Sequence, residues 1–356
     1  MMIKLALGML LVLGLSGCST MSQSKETLQE GNRLGVSNTL LKDAPDSYKD
    51  SYAADPEVQA FIQQMVREDH YNKATLELAF SRIKPRETVI TKSNNQPEVI
   101  TPFYDYRKNF LTKKRIEEGR AFAKKNHYWL EKAQQEYGVD WHVIVALIGV
   151  ETYYGRITGG KDVFTSLATL AFNYPRRQDY FQKELRAYLL LARKEGWKIG
   201  GTDGSYSGAM GMVQFMPTNY QKLAVDFDGD GHVDLWNSDA DAIGSVANYM
   251  KHHGWEYGKP CLVLAQVKDA KKISDWVNFQ RKPVKTAEEW SKLGVLPSQP
   301  FLPEKMGLIG LHTAKNETTY WLAYENFYTI MDYNPSRRYA MAVLELAKSI
   351  DSNEAH

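Results

Sequence analysis

Trp141-His142-Val143-Ile144-Val145-Ala146-Leu147-Ile148-Gly149-Val150-Glu151-Thr152-Tyr153-Tyr154-Gly155-Arg156 sets a single acid in an apolar run. Ile144, Leu147 and Ile148 recur at helical spacing and Asp140 stands at the N-cap position, so the segment predicts an amphipathic helix. Glu151 follows Ile148 and Leu147 by three and four residues and shares their apolar face. A carboxyl in that setting loses solvation, which favours its neutral form and raises its pKa. A general acid near neutral pH needs that property. The alternative is a helix-end Glu capped or paired with Arg156.

Downstream, Ser166 to Phe172 reads as helix until Pro175 interrupts it, and Arg176 and Arg177 offer planar donor forks to a carboxylate ligand or form a solvated pair. Residues 178–194 predict a helix. Gly200 to Gly211 is small-residue chain that lets backbone approach a ligand. It runs into Met212-Val213-Gln214-Phe215-Met216-Pro217-Thr218, where Gln214 is a neutral donor and acceptor suited to an acetamido group or hydroxyl. Asp226-Phe227-Asp228-Gly229-Asp230-Gly231-His232-Val233-Asp234-Leu235-Trp236-Asn237 matches the first half of an EF-hand calcium loop. Its twelfth position is Asn237 rather than a bidentate carboxylate, so Asp239 or Asp241 would have to close the site from a longer loop. A metal-free Asx-rich turn is the alternative.

Upstream, Lys4 and the apolar run Leu5 to Leu15 have the parts of a secretory signal over residues 1–17, too short to span a bilayer. The run ends in Leu15-Ser16-Gly17-Cys18, which resembles a bacterial lipoprotein signal with Cys18 as the acylated residue. With Ser19 rather than Asp after the Cys, the resemblance implies the outer membrane of a Gram-negative cell, facing the periplasm. Residues 18–46 are polar and predict a flexible tether. Residues 47–135 predict a helical domain, with helices opening at Asp55-Pro56 and over 74–83 and 112–137, and with the aromatic connector Pro102 to Arg107 between them. The formal charge of +2 over 356 residues leaves no electrostatic footprint for nucleic acid. Two cysteines, Cys18 and Cys261, form no disulfide framework, and Cys261 reads as a buried structural thiol.

Beyond a helix from Ala242 to Lys251, short β-like runs appear at Cys261 to Val267, Met306 to Leu311 and Thr318 to Tyr324, predicting a small β-rich domain over 259–325. Helical chain returns over 326–350. The expected fold is therefore mainly α with a β-rich insertion.

The order of Glu151 after its apolar run, Ser205 to Thr218, and Tyr333-Asn334 near the end resembles the lysozyme-like cores of lytic transglycosylases. Within them it is similar to the membrane-bound lytic murein transglycosylase B family, which also carries an EF-hand-like calcium loop. The resemblance implies a lysozyme-like core over 136–258 with the cation loop at 226–241. It implies cleavage of the β-1,4 bond between N-acetylmuramic acid and N-acetylglucosamine in peptidoglycan, without water, leaving 1,6-anhydromuramyl ends. Glu151 would be the single acid and base. Ser205, Gln214, Phe215, Tyr333, Tyr339 and Tyr106 would line the cleft, and Arg176 and Arg177 would meet acidic groups of the muramyl peptide. Asp226, Asp228, Asp230, the His232 carbonyl and Asp241 would hold a structural Ca2+, with no organic cofactor. Peptidoglycan strands are the expected partner of a monomer, with other cell-wall enzymes as further candidates. Two alternatives are a hydrolytic muramidase on the same fold and a calcium-braced murein-binding lipoprotein without catalysis.

Overall fold

The computed structural model describes residues 51–94 and 101–351. The signal segment, the tether and Cys18 lie outside the described residues. Among the described residues, no helix is long and apolar enough to cross a membrane.

The chain enters through α1 (Pro56–Asp69), α2 (Lys73–Ser81) and α3 (Glu87–Asn94). Asp55 caps α1 by accepting from the Glu57 amide at 2.8 Å, with Pro56 at the first turn, and Asn72 caps α2 through the Thr75 amide at 2.9 Å. A short turn α4 (Phe103–Tyr106) leads to α5 (Lys113–Lys125) and α6 (His127–Tyr137). The single helix expected over 112–137 is thus two, because Asn126 leaves helical geometry and its side chain donates to Asp239 at 2.9 Å.

The helix α7 (Trp141–Thr152) carries Glu151. The sequence predicts an amphipathic helix, yet Val143 to Thr152 are all buried. The helices α5 and α6, with α11 (Asp239–His252) and α14 (Arg337–Asp351) introduced below, pack around it and leave it no solvated face. Asp140 occupies the N-cap position without a side-chain cap bond, and the Gln134 side chain accepts from the Trp141 amide instead at 3.1 Å.

A two-residue strand β1 (Lys161–Asp162) pairs antiparallel with β2 (Asp203–Gly204), enclosing α8 (Val163–Asn173) and α9 (Gln178–Lys194). After α10 (Pro217–Leu223) and the acidic loop comes α11, then β3 (Leu262–Val267), α12 (Ala287–Lys292), β4 (Val295–Pro297), β5 (Gly307–Ala314) and β6 (Glu317–Ala323). These strands form an antiparallel sheet in the order β4-β3-β6-β5. One face, with Val263, Ala265, Leu308 and Leu322, covers Ile273, Trp290 and Met306. Ile309, Leu311 and Ala323 join the large core, which runs from Tyr52 to Ile350. α13 (Glu325–Tyr333) and α14 close the chain against α7 and α11.

Candidate active site

Glu151 is 4 % exposed, on the last turn of α7, and accepts a hydrogen bond from the Tyr339 hydroxyl of α14. Tyr339 and Tyr333 are buried, and both phenols are pushed well above their ordinary value, first by desolvation and then by the Glu151 charge. Tyr333 donates to the Val213 carbonyl at 2.5 Å. Its ring lies 4.7 Å from that of Tyr249 and 6.0 Å from that of Phe215. Tyr249 also feels Glu151 after desolvation and Asp332, so it belongs to the site although nothing in its local sequence marked it. Tyr106 is buried and close enough to Tyr339 to perturb it. The structure thus gathers around Glu151 of α7 the tyrosines Tyr106, Tyr249, Tyr333 and Tyr339 from four other helical segments.

The Gly-rich segment forms the other wall. Gln214 takes a left-handed conformation with φ 50, and its amide nitrogen donates to the carbonyls of Thr158 at 3.0 Å and Gly211 at 2.9 Å. Its Oε1 is buried without a hydrogen-bond partner. Phe215 is buried behind Tyr249 and Tyr333 rather than presented to solvent. Ser205 departs from the expectation of a cleft-lining hydroxyl. It is fully buried, and its Oγ accepts from the amides of Ser207 at 3.2 Å and Ala209 at 2.9 Å, holding the turn. Thr152 ties the two walls together, its hydroxyl donating to the Met212 carbonyl at 2.7 Å.

Other acids in this part of the chain are engaged elsewhere. Asp162 caps α8 through the Thr165 amide at 2.7 Å. Glu184 accepts from the Thr218 amide and hydroxyl at 2.9 and 2.7 Å. Arg156 pairs with Glu118 at 2.6 Å. Arg176 is exposed, while Arg177 lies 4.1 Å over the Tyr180 ring. Tyr180 in turn perturbs Tyr249, so Arg177 borders the tyrosine pocket through one intervening ring.

In the acidic loop, carboxylate oxygens of Asp226, Asp228 and Asp230 converge within 4.8 Å of one another. Asp226 shapes the turn, accepting from the amides of Gly229 at 2.8 Å and Gly231 at 2.8 Å. Three hard oxygen donors on a tight turn fit a calcium-type cation. His232 is exposed and its amide donates to Asp230 at 2.8 Å. Asp241 is not part of the cluster. It is buried, and its two oxygens accept from the amides of Phe227 at 2.8 Å and Asp234 at 2.7 Å. It bolts the ends of the loop together through these two backbone bonds. The Leu235 carbonyl then accepts from the Met212 amide at 2.7 Å, joining the loop to the active-site wall.

Residues 53–348 match the family described as the transglycosylase SLT domain. Membrane-bound lytic murein transglycosylase B of Escherichia coli K12 is 37% identical over 308 residues, 84% of each chain. The Escherichia coli lytic transglycosylase SLT35 in complex with calcium superposes with a TM-score of 0.75 at 38% identity, covering 83% of this chain and 92% of that one. SltB3 from Pseudomonas aeruginosa, solved with NAG-anhNAM-pentapeptide, gives a TM-score of 0.71 at 33% identity, covering 83% and 79%. The mainly α architecture with its β insertion is the one these lysozyme-like enzymes share. With the buried Glu151 set among tyrosines, the chain belongs to the transglycosylase SLT family and is a peptidoglycan lytic transglycosylase.

Proposed function

We propose that Glu151 acts alone as acid and then base in cleaving the β-1,4 bond between N-acetylmuramic acid and N-acetylglucosamine. The observation that carries this is its seat: a buried carboxyl held by Tyr339, with both oxygens of Glu184 held by Thr218 and Asp162 capping α8 through one oxygen. Two flanking carboxylates are the usual arrangement, and substrate assistance is a recognised exception. Neutral Glu151 gives its proton to the glycosidic oxygen as the bond to C1 breaks. The N-acetyl carbonyl of the muramyl unit stabilises the developing positive charge. Ionised Glu151 then takes the proton of the C6 hydroxyl, whose oxygen closes onto C1 and leaves a 1,6-anhydromuramyl end. The nucleophile is tethered to the electrophile, so proximity replaces activation of water.

Gln214 Oε1, buried and unpaired, would accept from a substrate amide or hydroxyl. Tyr106, Tyr333 and Tyr339 would bound the sugar pocket, and Arg176 and Arg177 would meet carboxylates of the peptide stem. Asp226, Asp228 and Asp230 would hold Ca2+, which when bound neutralises their mutual repulsion and stiffens the loop; a calcium complex of SLT35 supports this. Cys18 would carry the lipid that anchors the protein to the outer membrane. SltB3, solved with NAG-anhNAM-pentapeptide, supports a peptide-bearing glycan as the partner.

The test is mass spectrometry of soluble products from purified peptidoglycan. Muropeptides one water lighter than the reducing form are expected from the enzyme, and none from Glu151→Gln. Reducing ends would identify a hydrolase instead, and activity retained in the variant would remove Glu151 from the mechanism.

A further inference from the structure

Immediately after Glu151 the backbone does something uncommon. Tyr153, Tyr154 and Gly155 are consecutive left-handed residues, with φ 56, 58 and 80. Side chains beyond glycine resist that region, and such strain persists only where the surroundings over-determine it. The surroundings here come from α5. Arg115 Nη1 donates at 2.7 Å to the Gly149 carbonyl, which also accepts from the Tyr153 amide at 3.1 Å. The guanidinium lies 4.5 Å over the Tyr153 ring. The Tyr154 hydroxyl returns to α5, donating to the Arg115 carbonyl at 2.9 Å. Its ring stacks on Phe122 at 5.7 Å and fills space kept open by two glycines. A Cβ at Gly149 would meet that ring at 2.6 Å, and one at Gly119 would meet its hydroxyl at 2.4 Å.

Arg115 and Tyr154 therefore close a clamp whose two ends, residues 149 and 154, bracket Glu151. Helix C-termini tend to fray, and a cation adding a second bond to a carbonyl of the last turn reinforces it and suits the helix dipole. We propose that Arg115 is a positioning residue for the reaction, fixing the direction of the Glu151 carboxyl by locking the last turn of α7. This rests on Glu151 as the reacting group, which Glu151→Gln tests separately. The clamp acts on proton transfer and not on glycan affinity, since Arg115 touches the helix and its own aromatic neighbours.

The experiment measures kcat and KM on soluble, uncrosslinked glycan strands, alongside thermal unfolding, for Arg115→Met, Arg115→Lys and Tyr154→Phe. Displacing a reacting group by a fraction of an ångström to one ångström costs roughly tenfold to a hundredfold in rate. Arg115→Met is expected to lose at least about tenfold in kcat with KM within about twofold, at a temperature where it is fully folded. Arg115→Lys, which keeps a donor for the Gly149 carbonyl, should recover most of the loss. Three outcomes overturn the proposal: kcat of Arg115→Met within twofold of the parent, a loss carried by KM alone, or Lys and Met equally impaired. If Arg115→Met does not fold, Tyr154→Phe decides. A lowered kcat at unchanged KM supports the clamp, and an unchanged kcat overturns it.

Discussion

The hydrogen bond from Tyr339 to Glu151 acts on the protonation of the acid. A donor to the carboxyl favours its ionised form. The Tyr339 phenol is itself pushed far up by burial and by the Glu151 charge, so it stays a neutral donor across the working range. In Tyr339→Phe the carboxylate loses that donor and its neutral form gains. The acid must be protonated to begin the reaction, so the alkaline limb of kcat/KM should move to higher pH. A hydrogen bond to a charged group is worth about 1.5–3 kcal/mol, roughly one to two pH units. A lower rate with the limb unmoved would mean that Tyr339 acts only by packing. Cys261, expected to be buried, is a half-buried residue whose thiol shows the same physics. Desolvation pushes it far up, so it should react with a thiol reagent much more slowly in the folded protein than after denaturation.

Among the elements, the acidic loop separates two roles that its sequence could not. Asp226, Asp228 and Asp230 converge, whereas Asp241 serves the backbone at Phe227 and Asp234. Calcium added to chelator-treated protein should raise its melting temperature, by about 5 °C if the free ion exceeds its Kd a hundredfold. Asp228→Asn should abolish most of that calcium-dependent shift. Asp241→Asn should lower stability by about 1–3 kcal/mol, because one amide loses its acceptor, while keeping the shift. Loss of the shift in Asp241→Asn would restore it as a ligand. What the sequence made legible was whatever local pattern decides. Residues 178–194 form the helix expected of them, and the three β-like runs are strands. The break at Asn126 escaped notice because Asp239 is its cause, 113 residues away. Arg115 escaped for the same reason, since its partner carbonyl is at Gly149. β4 spans only Val295–Pro297 and carries no alternation to read. The acid, the acidic loop and the tyrosines near the C-terminus were visible, whereas the contacts that aim them were not.

At the scale of the molecule, the β insertion is fastened to the active site from two directions. α4, which ends in Tyr106, packs on β5. β6 ends at Ala323, and α13 follows from Glu325 to Tyr333. The sheet has its own core on one face, centred on Trp290, which is fully buried and donates to the Met306 carbonyl at 2.9 Å. Its other face contributes Ile309, Leu311 and Ala323 to the main core. An insertion with one face in each core cannot melt without stripping apolar cover from the helices that carry Tyr106 and Tyr333. Unfolding should therefore be a single calorimetric transition for the described body. Trp290→Ala removes a large buried ring and should cost about 3–5 kcal/mol. At about 2 °C per kcal/mol for a chain of this size, the whole transition should fall by roughly 6–10 °C, with activity lost along the same curve. Two resolved transitions, with only the lower one moved by Trp290→Ala and activity following the upper one, would show the insertion to be a separate folding unit that the active site does not need.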